Sequence, residues 1–291
     1  MKKWICCFFG IAFLCNSAFG QSSQVLSSLL AGSNFSRNTA GDWTGTATFN
    51  PPRSAPLTIV GAPFSADESQ QFVQTLANGV HITNSFPGPK IYRDSQGRTR
   101  IEMPAIRMPN PDASNTPTSR ELLEIQIHDS VAGVYYVLDP VNKVVHRLQA
   151  PARSQPGRFS VPSASSNSRI TNVPIAVTQA LPAAVPKPPQ VRKESLGSRD
   201  FHGVLADGER QITTYETGSQ GNDAPFDVVT EIWTSPQLKL RIMSKTMDPR
   251  TGDSIFELKN LSADEPDPSL FIPPPDYRLV DETGQFTITF K

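Results

Sequence analysis

EIWTSPQLKLRIMSKTMDPRTGDSIFELKNLSADEPDPSLFIPPPDY, residues 231–277, reads as a strand, a tight turn, a return strand and an extended tail. From Leu238 onward, Leu238, Leu240 and Ile242 alternate with Lys239, Arg241 and Lys245. That period of two belongs to a strand with one face buried and one face wet. In the turn Asp248-Pro249-Arg250-Thr251-Gly252, Pro249 presets its own dihedral, Asp248 bonds the turn amides and Gly252 tolerates positive φ. The return strand over 254–261 puts Phe256 and Leu258 on one face and Ile255, Glu257 and Lys259 on the other, so charges on neighbouring strands can pair. The prolines of 266–276 then forbid helix and central strand, leaving Leu270, Phe271 and Tyr277 as apolar pegs that pin an extended segment to the sheet.

Composition allows a sizeable core: 37% of the 291 residues are hydrophobic despite 27 prolines. Lys2, Lys3, the apolar run over 4–15 and Ala18-Phe19-Gly20 form the three parts of a secretory signal peptide, with cleavage expected after Gly20. That run is shorter than the roughly 20 apolar residues of a membrane-spanning helix, so no transmembrane anchor is expected. The destination is periplasmic or secreted. Cys6, Cys7 and Cys15 all lie in this leader, which leaves the processed chain without disulfides or thiolate metal ligands. Lipidation at Cys15 is disfavoured by the bulky Phe13-Leu14 before it. The chain carries 27 basic and 27 acidic residues, and loss of Lys2 and Lys3 tips the balance to the acidic side. Nucleic acid is excluded as a partner on that ground.

Residues 21–41 read as an N-terminal tail or one short helix, because Val25, Leu26, Leu29 and Leu30 fall at helical spacing among serines. A first β segment follows over 42–149. It begins with a strand over 42–49, in which Trp43, Ala47 and Phe49 face one way, and continues with an antiparallel partner over 57–60. Ser65 and Glu68 match a capping box, but Asn78-Gly79 between two strand-like runs is the stronger signal and predicts a hairpin. Asp94-Ser95-Gln96-Gly97 predicts a second hairpin, and strands over 123–127, 134–138 and 143–148 complete a meander. Residues 150–190, rich in Pro, Ser and Ala, bury too little to offset their ordering entropy and read as a flexible linker. The second part of the same β domain, 191–291, opens with a hairpin expected at Asp207-Gly208. The fold class is mainly β: one large antiparallel sheet with few short helices, interrupted by the proline-rich linker.

Catalytic and metal chemistry find little support. His81, His128, His146 and His202 fall on different strands without metal-ligand spacing, so neither a metal nor a cofactor is expected. His128-Asp129 with one of the many serines can be written as a triad, yet no nucleophile-elbow motif is present, and no catalytic residue is assigned. Glu231, beside Trp233, reads as a rim carboxylate paired with Lys or Arg, or as a buried acid. Arg93, Arg98 and Arg100 around Asp94 are candidate contacts for an anionic headgroup, with solvated hairpin charges as the alternative.

The segments APFSA (62–66), YRDSQGRTR (92–100), DSVAGVYYVLDP (129–140), MDPRTG (247–252) and EPDPSLF (265–271) resemble signatures of an uncharacterised family of exported bacterial proteins. More distantly, the strand order and the closing Pro-Ser-Leu-Phe-Ile-Pro segment resemble the lipoprotein-localisation (LolA/LolB-like) superfamily. The resemblance implies a half-barrel-like, strongly curved sheet with a greasy concave face. The chain departs from that carrier pattern in lacking a long N-terminal helix and in carrying the proline-rich linker. On such a face Leu238, Leu240, Ile242, Phe256 and Leu258 either pack on one another as an ordinary core or line a cavity for a ligand. The expected function is non-enzymatic binding of a lipid or hydrophobic peptide. An envelope protein that contacts protein partners is the alternative, and a hydrolase is the third reading.

Overall fold

The computed structural model describes residues 30–37, 43–52, 58–103, 124–151 and 188–290. Its strands are β1 (Leu30–Arg37), β2 (Trp43–Phe49), β3 (Phe64–Thr75), β4 (His81–Arg93), β5 (Thr99–Glu102), β6 (Ile125–Asp129), β7 (Val134–Asp139) and β8 (Val144–Gln149). After the undescribed stretch come β9 (Gln190–Phe201), β10 (Val204–Tyr215), β11 (Phe226–Ser235), β12 (Leu240–Asp248), β13 (Gly252–Ser262), β14 (Arg278–Glu282) and β15 (Phe286–Phe290). Among the described residues the only helical element is a 3-10 turn, Pro268–Phe271.

Twelve strands form one open sheet in the order β14-β8-β7-β6-β5-β4-β3-β13-β12-β11-β10-β9. All its neighbours pair antiparallel except β14 with β8, which run parallel. The class read from the sequence, mainly β with a large curved antiparallel sheet, is therefore the class observed. Arg93 Nη2 on β4 donates to the carbonyl of Leu238 in the turn before β12, three strand steps away in the sheet. In a flat sheet those steps span roughly 14 Å. This bond is a chord across the curl.

The short hairpins are where local chemistry put them. Asn78-Gly79 turns β3 into β4 with Gly79 at φ +82°, and Gly97, at φ +81°, closes the turn between β4 and β5. In the β12–β13 turn Asp248 Oδ1 accepts from the Arg250 amide at 2.9 Å, and Gly252 takes φ +93°. Lys245 Nζ meets Asp253 Oδ2 at 3.2 Å, a charge pair across those two strands.

Four local expectations are corrected. The hairpin at Asp207-Gly208 is instead at His202-Gly203, both in the left-handed region (φ +56° and +88°), while Asp207 and Gly208 lie inside β10. Residues 58–60 are not a strand: Gly61 turns with φ +68° and donates its amide to the Ser95 carbonyl, laying this segment over the β4–β5 turn. The helical reading of the N-terminal stretch fails at Leu30–Arg37, which pair with β2 as a strand, and residues 22–29 lie outside the described residues. Leu238 belongs to a turn, because Lys239 adopts φ +51° and β12 starts only at Leu240. Residues 152–187 of the expected linker and residues 1–20 of the leader also lie outside the described residues.

A separate three-stranded sheet, β1-β2-β15, was not foreseen. It buries Ala47, Phe49, Phe286 and Ile288 against Tyr135, Val137 and Leu148 of the large sheet. A second cluster packs Ile125, Ile127, Leu138 and Val145 beneath Phe271, with Leu270 and Tyr277 against it, so the three proline-segment pegs do hold that segment to the sheet. The largest cluster joins Phe64, Ala66, Ile91, Ile101, Phe201, Val204, Trp233, Leu238, Leu240, Ile242, Leu258 and Leu261. It sits on the side that Arg93 bridges.

Candidate binding face

β3 alternates without interruption, so Phe64, Ala66, Glu68, Gln70 and Phe72 share one face. Opposite them on β13 stand Leu258 (against Glu68), Phe256 (against Gln70) and Ser254 (against Phe72). On β4, Phe86 faces Gln70, Asn84 faces Phe72 and Ile82 faces Gln74. This face is closed at one end and open at the other. Phe64, Ala66 and Leu258 are sealed in the core, whereas Phe86 is 54% exposed and Ile82 42% exposed, with Phe72 and Phe256 half-buried between. Phe72 and Phe86 meet edge to face at 6.1 Å. Val80 and Leu76 extend the exposed apolar surface to the hairpin tip.

The transition falls where β4 carries one extra residue, a bulge at Gly88-Pro89 opposite Glu68. A β-carbon on Gly88 would lie 2.6 Å from that of Glu68, so only glycine allows β4 this close. Proline on either side of that glycine, in Phe86-Pro87-Gly88-Pro89, is the sequence signature of such a break.

The residues expected either to pack as a core or to line a cavity lie together. Leu238, Leu240, Ile242 and Leu258 are 0–5% exposed in one packed cluster, and Phe256 borders it. The three arginines are divided. Arg93 lies opposite Thr99 and Tyr92 opposite Arg100, so strand alternation sends Arg93 and Arg100 to opposite faces. Arg93 donates from Nε to Ala62 at 2.8 Å and stacks 4.7 Å over Phe64. Arg98 is held by Asp94 at 2.6 Å and lies over Phe271, while Arg100 binds Glu102 at 2.7 Å and the Leu270 carbonyl at 2.9 Å. Each is engaged inside the protein.

The histidines stay apart. His128 stacks on Tyr135 at 4.5 Å, His146 bonds Glu282 at 2.8 Å, His81 bonds Thr75 at 3.0 Å, and His202 sits in a hairpin turn. Asp129, next to His128, instead caps the β6–β7 turn by accepting from the Val131 and Ala132 amides. Glu231 pairs with Arg210 at 2.7 Å within a cross-strand ladder that includes Glu194. Among the described residues no three His, Cys, Asp or Glu side chains are grouped as a metal would need.

Sequence reading passed over Glu68 as a binding residue, having seen in it only a helix-capping partner. Burial raises its carboxyl from 4.5 to about 7. Burial also lowers Arg93 to about 10, which leaves it charged at neutral pH, and lowers His128 to about 4 against a smaller opposing pull from Asp129. Glu124 is raised by burial, partly offset by the amide of Gln126, whose own Oε1 is buried without a partner among the described residues.

No family model and no curated protein matches the chain. Among solved structures it is similar to the MucA/MucB complex of Pseudomonas aeruginosa, at 13% identity and TM-score 0.32, with 76% of this chain and 58% of that chain covered. The chain thus spans little more than half the length of that match. It is also similar to a LolA superfamily protein from Nitrosomonas europaea, at 8% identity and TM-score 0.23, with 72% of this chain and 90% of that one covered. An outer membrane lipoprotein-sorting protein domain from Vibrio parahaemolyticus matches at 11% identity and TM-score 0.18, over 69% of this chain and 85% of that one.

Proposed function

We propose that the protein is an exported, non-enzymatic binding protein that holds the apolar chain of a lipid or hydrophobic peptide against Phe72, Phe86, Phe256 and Ile82. One observation carries this reading: Phe86 and Ile82 stand exposed directly beside a filled core on the same sheet face. Fully covering a large apolar side chain is worth roughly 1.5–3 kcal/mol. A ligand that covers the exposed parts of three or four of them gains a fraction of that from each, and its own buried hydrocarbon adds about 0.8 kcal/mol per CH2. The leader-like residues 1–20 support export, and among the described residues no helix is long and apolar enough to cross a membrane.

Phe86→Asp tests the site without touching the core, whereas Leu240→Asp would place a charge among sealed side chains. We expect Phe86→Asp to lower affinity for a fluorescent acyl probe at least tenfold with an unchanged melting temperature. Equal affinity in the folded variant would refute the site. A second reading, contact with an envelope protein, is supported by β9, which pairs only with β10 among the described residues and leaves its other edge unpaired. A photocrosslinker at exposed Val191 that captures no protein in the producing cell would count against it.

A further inference from the structure

The open patch ends, at its inner limit, on a carboxyl group. Glu68 stands between sealed Ala66 and the half-buried pair Gln70 and Phe72 on β3, with Leu258 across from it on β13. It is 7% exposed, and no hydrogen bond or ion pair joins its carboxyl to a described residue. Its nearest charged strand neighbours are turned away: Asp67 pairs with Lys90 on β4 and Lys259 on β13, and alternation puts all three on the other face. Arg93, on the same face as Glu68, is committed to the Ala62 and Leu238 carbonyls. Ionising so desolvated a carboxyl costs stability, and in this fold the β4 bulge holds it in place at the inner end of an apolar patch.

Resting on the binding function proposed above, we propose that Glu68 is the polar end of that site and accepts an amine, so that the apolar ligand carries a cationic or hydrogen-bond-donating head. The recognised chemistry is an ammonium joined to a hydrocarbon chain. A carboxylate or phosphate head would meet an acceptor instead of a donor, and Arg93 on that face is committed to backbone carbonyls. An ammonium close to Glu68 favours the ionised carboxyl, which opposes the burial that raises it.

The test compares dodecylamine, dodecanol and dodecanoate, each below its micelle concentration, for displacement of a fluorescent acyl probe from the full chain processed as exported. At pH 8 the amine should bind at least tenfold tighter than dodecanoate. Glu68→Gln should cut that preference to less than about threefold. If the amphiphiles bind but head groups are not discriminated, or discrimination survives in Glu68→Gln, the assignment of Glu68 fails and the apolar site stands. If none of the three displaces the probe, the binding function falls and takes this inference with it. Should Glu68→Gln not fold, carbon-13 titration of the wild-type Glu68 carboxyl replaces it: dodecylamine should move the midpoint down by at least one pH unit, and an unmoved midpoint overturns the proposal.

Discussion

Glu68 and His128 are buried titratable groups that act on stability in opposite directions. Glu68 titrates near 7 in the fold and near 4.5 when exposed, so between those values the folded chain binds more protons than the unfolded one. Its effect is absent below about pH 4.5 and destabilises progressively as the pH rises towards 7. His128 titrates near 4 in the fold against 6.5 when exposed, so here the unfolded chain binds the extra proton. Its contribution is fully present above pH 6.5 and is lost as the pH falls towards 4. Across the window where both act the two slopes oppose each other. Glu68→Gln should therefore stabilise the protein at pH 8, by at most about 3 kcal/mol from the size of the shift, and by nearly nothing at pH 4. His128→Asn should flatten the loss of stability between pH 6.5 and 4, even where losing the stack on Tyr135 lowers stability throughout. Urea unfolding at pH 4, 6 and 8 reads both, and identical pH slopes in variant and wild type would sink either assignment.

At the scale of the element, the turn between β9 and β10 shows what local sequence decides and what it does not. Asp207-Gly208 and His202-Gly203 are both plausible hairpin turns, and nothing within either dipeptide selects one. Packing does. A β-carbon at Gly208 would fall 2.8 Å from the Trp233 ring and 2.9 Å from the Leu196 β-carbon, so this glycine makes room for a tryptophan on the neighbouring strand. A β-carbon at Gly203 meets nothing within 4 Å, and its positive φ is the sole constraint. Gly208→Ala should cost about 1–3 kcal/mol through overpacking, against about 1–2 kcal/mol for Gly203→Ala through backbone strain. Only Gly208→Ala should also shift the tryptophan emission, because only it moves Trp233. An emission change in Gly203→Ala alone would reverse the account. The hairpins at Asn78-Gly79, Asp94 to Gly97 and Asp248 to Gly252 were legible because each carries its own dihedral instructions. Phe72, Phe86 and Ile82 were not, since burial on a strand depends on what the neighbouring strands leave uncovered. The division of Arg93 from Arg100 was written in their odd spacing within the β4–β5 hairpin, but reading it needed the register.

Across the whole molecule, one continuous sheet carries separate apolar clusters. The cluster around Phe49, Phe286 and Tyr135 is closed by β15, which comes from the far end of the chain and pairs with β2. No local signal announces such a pairing, which is why the small sheet could not be read from the sequence. Phe286 stacks on Phe49 at 5.1 Å and on His146 at 4.5 Å, so it locks β15 onto both β2 and β8. The cluster holding Trp233, Leu240 and Ile242 does not include any of these residues. Phe286→Ala should therefore remove about 3–4 kcal/mol from the first cluster and little from the second. Hydrogen exchange should show β2, β7 and β8 losing protection while β10 to β13 retain theirs. The aromatic patch on β13, β3 and β4 belongs to the retained part, so acyl-probe affinity should stay within about twofold of wild type. Uniform loss of protection would mean that the clusters unfold as one cooperative unit, whereas local loss with intact binding would show that the small sheet stabilises one end of the molecule and the ligand face stands on the other.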